Sequence, residues 1–121
     1  MQPHIIESLL TILPRNETIE SDIEGLFFYC ADKPSDMVSY IQEPSICIVL
    51  QGEREIYLGS DCQRFDDNHL MFCPVNIPIS GHIKSASPER PVIVMSMRLD
   101  LPLIREVLAK MPPKSATQGS N

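Results

Sequence analysis

The middle of the chain consists of short apolar or alternating stretches separated by turn residues, a pattern that predicts a β-sheet protein. The clearest stretch follows Pro44, which cannot donate a hydrogen bond within a sheet and therefore marks the start of a strand. Every residue from 46 to 50 is apolar, as in a strand buried on both faces. A turn at Gln51-Gly52-Glu53 leads to residues 54–58, where polar and apolar residues alternate. We expect these two strands to form a hairpin in a closed or sandwiched antiparallel sheet.

The same pattern predicts further strands on both sides of this pair, at residues 23–30, 37–41, 62–65, 69–73, 77–83 and 92–99. Apolar residues at helical spacing predict a helix at 3–13 and another at 101–111, with Asp100 as the N-cap of the second. The polar segment 15–22 is interpreted as a link. About eight short strands with a helix at each end are typical of a small β-barrel or jelly roll. The interior of such a barrel is filled by side chains or holds one small ligand.

Composition narrows the functional classes. The chain has 121 residues, enough for one domain, and its net charge of −6 argues against direct binding to nucleic acid. No apolar stretch approaches the roughly 20 residues of a membrane helix, and the N-terminus lacks the pattern of a secretory signal. We therefore expect a cytoplasmic protein with no membrane contact. The four cysteines lack zinc-binding spacing, and three lie in apolar strands, which favours buried thiols over disulfides.

Three ordered motifs in this chain resemble the N-terminal domain of AraC-type transcription regulators. They are Glu43–Gly52 with Leu58-Gly59, Val75–Ile79 and Ala86–Pro91, and the similarity extends from about Gly25 to Met111. The resemblance implies a mainly β, cupin-like double-stranded β-helix, or jelly-roll barrel. Residues 1–111 would form this single domain, with helices at 3–13 and 101–111 around a barrel at 23–99.

The resemblance also implies a regulatory role. In such regulators the barrel binds a small effector or contributes to dimerisation, and a separate C-terminal domain with two helix-turn-helix units contacts DNA. No residue of this chain matches that second domain, and residues 112–121 look like the start of a linker to it. We therefore expect an unknown small-molecule effector and a homodimer, with DNA contacted only through a domain that this chain lacks.

A cupin-like barrel raises a metal-dependent isomerase or dioxygenase as the alternative. Metal cupins usually supply a His-x-His pair with a nearby Glu and a later His. This chain has only His4, His69 and His82, with no two at ligand spacing. We therefore expect no catalytic residue, no metal and no other cofactor. A small cupin enzyme with degenerate ligands remains the alternative function.

Candidate effector-binding residues come from the strands expected to form the barrel. Met95 and Met97 share one face of the last strand, which we expect to point inward, and thioethers adapt to irregular ligands. Two tyrosines offer hydroxyl groups to a polar ligand group. The full set is Tyr40, Ile48, Leu50, Tyr57, His82, Met95 and Met97, although the alternation around His82 favours an outward position for it. The other interpretation is that these side chains simply fill the barrel.

The second helix carries the candidates for dimerisation. Its apolar stripe consists of Ile104, Val107, Leu108 and Met111. The stripe either packs on its own barrel or pairs with the same helix of a second subunit. If barrel and partner compete for it, effector occupancy would bias the geometry of the dimer.

Overall fold

The computed structural model describes residues 3–111, and antiparallel strands dominate this part of the chain. Two helices and nine strands occur within it. In chain order they are α1 Pro3–Ile12, β1 Glu17–Glu20, β2 Leu26–Ala31, β3 Val38–Gln42, β4 Ser45–Gln51, β5 Glu53–Leu58, β6 Asp61–Asp66, β7 Leu70–Cys73, β8 Ile77–His82, β9 Val92–Arg98 and α2 Leu101–Lys110. No helix among these residues is long and apolar enough to cross a membrane. The C-terminal segment 112–121, interpreted above as a linker, lies outside the described residues.

The strands form two antiparallel sheets that pack face to face as a jelly-roll barrel. The five-stranded sheet has the order β1-β2-β9-β4-β7, and the four-stranded sheet has the order β3-β8-β5-β6. Neighbours in each sheet come from distant parts of the sequence, as β2 with β9 and β3 with β8 show. This arrangement confirms the predicted mainly β fold with a helix at each end.

The predicted hairpin between β4 and β5 is wrong. β4 pairs with β7 and β9, whereas β5 pairs with β6 and β8, so the turn carries the chain from one sheet to the other. Gly52 makes this crossing with φ +84°, and a Cβ there would lie only 2.7 Å from Cγ2 of Val92. The turn residues indicate that the chain reverses, but they do not indicate which strands pair.

The segment 15–22 also differs from the prediction of an irregular link. It contains β1, which pairs with β2 from Glu17↔Cys30 to Glu20↔Phe27. β1 is an edge strand in which only Ile19 is partly covered, so its sequence shows almost no alternation of apolar and polar residues. The barrel therefore begins before residue 23, the first barrel residue expected from the sequence.

The five-stranded sheet is covered on both faces, which explains the apolar run in β4. Helix α1 packs on the outer face, where Ile6 and Leu13 join Cys30, Leu50 and Ile93 in one buried cluster. A second buried cluster lies between the inner face and the four-stranded sheet. It consists of Ala31, Val49, Ile83, Val92 and Val94, and Phe65 packs against it. Each fully buried aliphatic side chain of these layers contributes about 1.5–3 kcal/mol to folding.

Helix α2 lies apart from this core. Its N-cap is Asp100, as predicted, and the Asp100 carboxylate accepts a hydrogen bond from the backbone N–H of Leu103 at 3.1 Å. No residue of the helix is buried. Val107 and Leu108 are 52% and 49% exposed, and Met111 is also exposed, so these three residues of the apolar stripe are not covered by the barrel, whereas Ile104 is half-covered.

Candidate functional site

A cavity of about 450 Å³ lies between the two sheets. This volume falls within the range of about 300–1,000 Å³ that is typical of small-molecule sites. Side chains of the five-stranded sheet form one wall, and those of the four-stranded sheet form the other. The residues that line it include Phe27, Tyr29, Cys47, Val94 and Ser96 on one side and Val38, Tyr40, Gln42, Arg54 and Gly81 on the other.

Strand register explains why these side chains share the interior. On the five-stranded sheet, Ser96 lies opposite both Phe27 and Cys47, and Val94 lies opposite Tyr29. Directly opposed residues in antiparallel strands project from the same face of a sheet. The intervening residues of β9 project from the other face, towards α1. The inner wall is therefore a mixed layer of aromatic rings, aliphatic groups, a thiol and hydroxyls.

Arg54 brings a positive charge into the cavity from β5. It lies opposite Phe65 on β6, and Ile56 on the same strand lies opposite Gly81 on β8. A Cβ on Gly81 would lie 2.9 Å from Cδ1 of Ile56 and 3.6 Å from Nη2 of Arg54. The glycine therefore leaves the space that these inward side chains occupy.

Arg54 is half-buried as a residue, and its Nη2 donates a solvent-exposed hydrogen bond to the Tyr40 hydroxyl at 2.9 Å. None of the ion pairs between described residues includes Arg54. Its charge acts on the opposite wall: burial raises the pKa of both Tyr29 and Cys47, and the Arg54 charge opposes part of that rise. Both groups therefore remain neutral near neutral pH, and Arg54 is the one lysine or arginine among the described residues that line the cavity.

Two of the seven predicted pocket residues, Tyr40 and His82, line the cavity, Tyr40 with its side chain on the inner face of β3 and His82 at the border. Met95, Ile48 and Leu50 do not line it, because all three pack in the cluster beneath α1. Met97 lies opposite Ile46 and Leu26 on the same outer face and is 47% exposed. The expectation that Met95 and Met97 point inward is wrong. Alternation indicates which residues share a face, but both faces of this sheet are apolar, so it does not indicate which face is the interior.

Tyr57 and His82 lie on the outer face of the four-stranded sheet. Tyr57 lies opposite Cys62 and Ser80, and His82 lies opposite Glu55. His82 borders the cavity. Its Nε2 lies 2.8 Å from Oε1 of Glu55. The Tyr57 ring packs against the His82 ring at a tilt, with 6.2 Å between the ring centroids. Glu55 is only 8% exposed, and the hydrogen bond from His82 lowers its pKa against the opposing effect of burial. This pair is internally satisfied, and of its two members only His82 borders the cavity.

The family of AraC-type transcriptional regulator N-termini matches residues 22–121 of the sequence. The chain belongs to this family. No curated protein matches it. The resemblance carried by the Glu43–Gly52, Val75–Ile79 and Ala86–Pro91 motifs is thereby confirmed.

Solved structures of cupins share the fold of this AraC-type domain. A cupin superfamily protein from Desulfitobacterium hafniense has a TM-score of 0.54 at 14% identity, over 76% of this chain and 88% of its own. A cupin-2 domain protein from Shewanella frigidimarina has a TM-score of 0.51 at 9% identity, over 78% and 92% of the two chains. A protein from Neisseria meningitidis has a TM-score of 0.52 at 8% identity, over 82% and 100%. At these identities the likeness concerns the fold alone, and it establishes the predicted cupin-like double-stranded β-helix.

The AraC-type domain does not present the ligand set of a metal cupin. His4 is exposed on α1, His69 pairs with Asp66 at 2.8 Å near the surface, and His82 pairs with Glu55. Within residues 3–111, no three His, Cys, Asp or Glu side chains lie close enough together to hold a metal ion. The described residues therefore do not fit a cupin metal centre.

The sequence interpretation missed Arg54, Phe27, Tyr29 and Ser96 as cavity residues. A signal for Arg54 exists in β5, where it shares a period-two face with the apolar Ile56 and Leu58. A charged residue on an otherwise apolar face of a strand indicates either a buried ion pair or a ligand contact. No comparable signal exists for Phe27 and Tyr29, because apolar residues occupy both faces of β2.

Proposed function

We propose that this domain is the sensing and dimerising part of an AraC-type regulator. Its barrel cavity binds a small-molecule effector, and its occupancy controls DNA binding by a separate domain outside these residues. Such a regulator acts on DNA in the cytoplasm. The observation that carries the proposal is the open cavity between the sheets, in a domain of a family of transcriptional regulators.

The composition of the cavity wall supports binding of a small molecule. Small-molecule sites combine a largely apolar lining with a few convergent polar groups that orient the ligand. Here Phe27 and Val94 supply apolar surface, while Arg54 on β5 and Tyr40 on β3 meet across β8 in the opposite sheet. A barrel filled by its own side chains would leave no such space.

The exposed stripe of α2 supports dimerisation. Val107, Leu108 and Met111 are exposed on a helix that has no buried residue, and Ile104 on the same stripe is half-covered. A second copy of the same helix is a natural partner, because apolar residues at this spacing form the seam of paired helices. In this proposal the domain works as a homodimer through α2.

A matched pair of tryptophan substitutions on β3 tests effector binding. Val38 borders the cavity and is 55% exposed, whereas Ile41 is 59% exposed and lies on the opposite face of the same strand. V38W places an indole over the cavity, and I41W adds the same group outside it. Small metabolites that raise the melting temperature of the wild type are expected to do so for I41W and not for V38W. Equal effects on both variants, or no effect of any compound on the wild type, would contradict effector binding in this cavity.

We also propose that the domain has no catalytic activity of its own. The separation of the three histidines supports this view. Metal analysis of protein purified without chelators provides the test. Stoichiometric iron, manganese or zinc, lost when His69 or His82 is replaced by alanine, would favour a small cupin enzyme instead.

A further inference from the structure

We propose that the effector is a small organic anion, with a carboxylate bound by Arg54 and an apolar body held against Phe27, Tyr29 and Val94. This inference rests on the proposed function, because it names the chemistry of the ligand that the cavity takes. The observation behind it is an arginine at the barrel cavity that has no carboxylate partner among residues 3–111.

Three other arginines of the domain have protein partners for their side chains, while Arg90 and Arg105 are exposed to solvent. Arg64 lies 3.7 Å from Glu53, Arg98 lies 3.9 Å from Glu43, and Arg15 donates to two backbone carbonyls. Arg54 instead makes one hydrogen bond to another described residue, to the neutral hydroxyl of Tyr40. A guanidinium carries several more N–H donors than that single bond uses.

The described lining of the cavity around Arg54 lacks negative charge, although the chain as a whole carries a net charge of −6. Among the described residues that line the cavity there is no aspartate and no glutamate. Withdrawing a cation from water costs free energy unless an anion or a set of hydrogen bonds compensates it. An anionic ligand supplies that compensation, and a guanidinium matches the two oxygens of a carboxylate geometrically.

Tyr40 extends the anion site. Because its oxygen accepts a hydrogen bond from Arg54, its own O–H proton is free to be donated to a neighbouring acceptor. Arg54 and Tyr40 together thus present adjacent donors from β5 and β3. The rest of the lining is mainly apolar or weakly polar, which suits one carboxylate on an apolar body better than a doubly charged phosphate.

Matched acids and amides test this inference by calorimetric titration of the chain. The probes are phenylacetate with phenylacetamide and hexanoate with hexanamide, which differ mainly in charge. We expect the wild type to bind at least one acid, and to bind it at least about tenfold more tightly than its amide, the effect typical of a hydrogen bond to a charged group. R54Q should lose this preference, while R54K should keep part of it.

R64Q is the matched control, because it removes the same charge from the outer face of β6. It should retain the preference for the acid. In addition, the Nε–H resonance of Arg54 in the wild type should shift on addition of the acid and not of the amide. This second readout does not depend on whether R54Q folds.

Equal binding of acid and amide to the wild type, or an equal loss in R54Q and R64Q, would overturn the inference. So would the failure of every acid to bind. The comparison of V38W with I41W separates these results from a failure of the proposed function: neutral compounds that bind the wild type and I41W but not V38W would leave effector binding intact and reject only the anion.

Discussion

The two faces of the five-stranded sheet are both lined by apolar residues, yet they differ in how they are covered. On the outer face α1 closes the layer, and Ile93 and Cys30 are almost completely inaccessible. On the inner face the opposing sheet is far enough away to leave a cavity of about 450 Å³. The wall of this cavity contains Ser96, Tyr29 and Cys47 in addition to apolar side chains. The comparison assigns stability to the layer beneath α1 and to the buried cluster around Val92 on the inner face, and ligand binding to the part of the inner face that borders the cavity.

The largest expected effect concerns the sealed face. Ile93 is 0% exposed, so I93A removes buried methyl groups and leaves a void that α1 and β4 cannot fill. We expect a loss of about 2–5 kcal/mol in the free energy of unfolding, measured by chemical denaturation. The control is M97A on the same face, where Met97 is 47% exposed and the loss should be about 1 kcal/mol or less. Equal losses in the two variants would contradict the view that α1 seals this layer.

A second prediction compares the two helices: the apolar side of α1 is buried on the sheet, whereas α2 has no buried residue. V107E and L108E should weaken self-association by at least about tenfold, because each would remove an apolar side chain worth about 1.5–3 kcal/mol when buried. Analytical ultracentrifugation over a range of concentrations measures the effect, with K110A as the control on the polar side of the helix. Unchanged association together with an unchanged melting temperature would reject α2 as the dimer interface.

A third prediction concerns the Glu55–His82 pair, whose charges are satisfied within the protein, whereas Arg54 has no carboxylate partner among the described residues. The pKa of Glu55 is lowered from its ordinary value of 4.5, chiefly by the hydrogen bond from His82. A lowered folded-state pKa means that the ionised form stabilises the fold above pH 4.5 and that this stabilisation is lost as pH falls below it.

The melting temperature of the wild type should therefore fall more steeply below pH 4.5 than that of E55Q. D66N is the comparison variant, because the Asn68 backbone N–H and His69 also lower the pKa of Asp66, at an exposed site. A wild-type profile that E55Q leaves unchanged would show that the Glu55–His82 pair does not contribute to acid stability.

The smallest expected effect on stability belongs to the open face. S96A removes a hydroxyl from the cavity wall without creating a void in the core, so the free energy of unfolding should change by no more than about 0.5 kcal/mol. Its effect should appear in ligand affinity, measured by the same titrations with phenylacetate. A loss of stability comparable to that of I93A would indicate that the inner face is as tightly packed as the outer one.

Much of the fold could be predicted from the sequence, because strand positions depend on local patterns. Turn residues and period-two alternation place most strands within a few residues of their observed bounds, and the motifs around Glu43–Gly52 indicate the family. Pairing is less accessible, as the wrong hairpin at Gln51-Gly52-Glu53 shows, because partners in a jelly roll come from distant segments.

The candidate site was harder to predict than the fold. Tyr40 lies in the cavity wall and His82 borders the cavity, as expected, whereas Met95 and Met97 lie on the opposite side of the sheet. The sequence of a strand that is apolar on both faces does not indicate which face packs against the helix and which lines the cavity. Arg54 was recognisable only as a charged residue in an alternating strand, and its isolation from carboxylates becomes visible only in three dimensions.

Methyl NMR on selectively labelled protein tests the division between the two faces most directly. On titration with phenylacetate, the methyl resonances of Val94 and Val38 should shift in proportion to occupancy, while those of Ile93 and Leu50 should remain in place. Shifts of the same size beneath α1, or shifts there and none at Val94, would contradict the account.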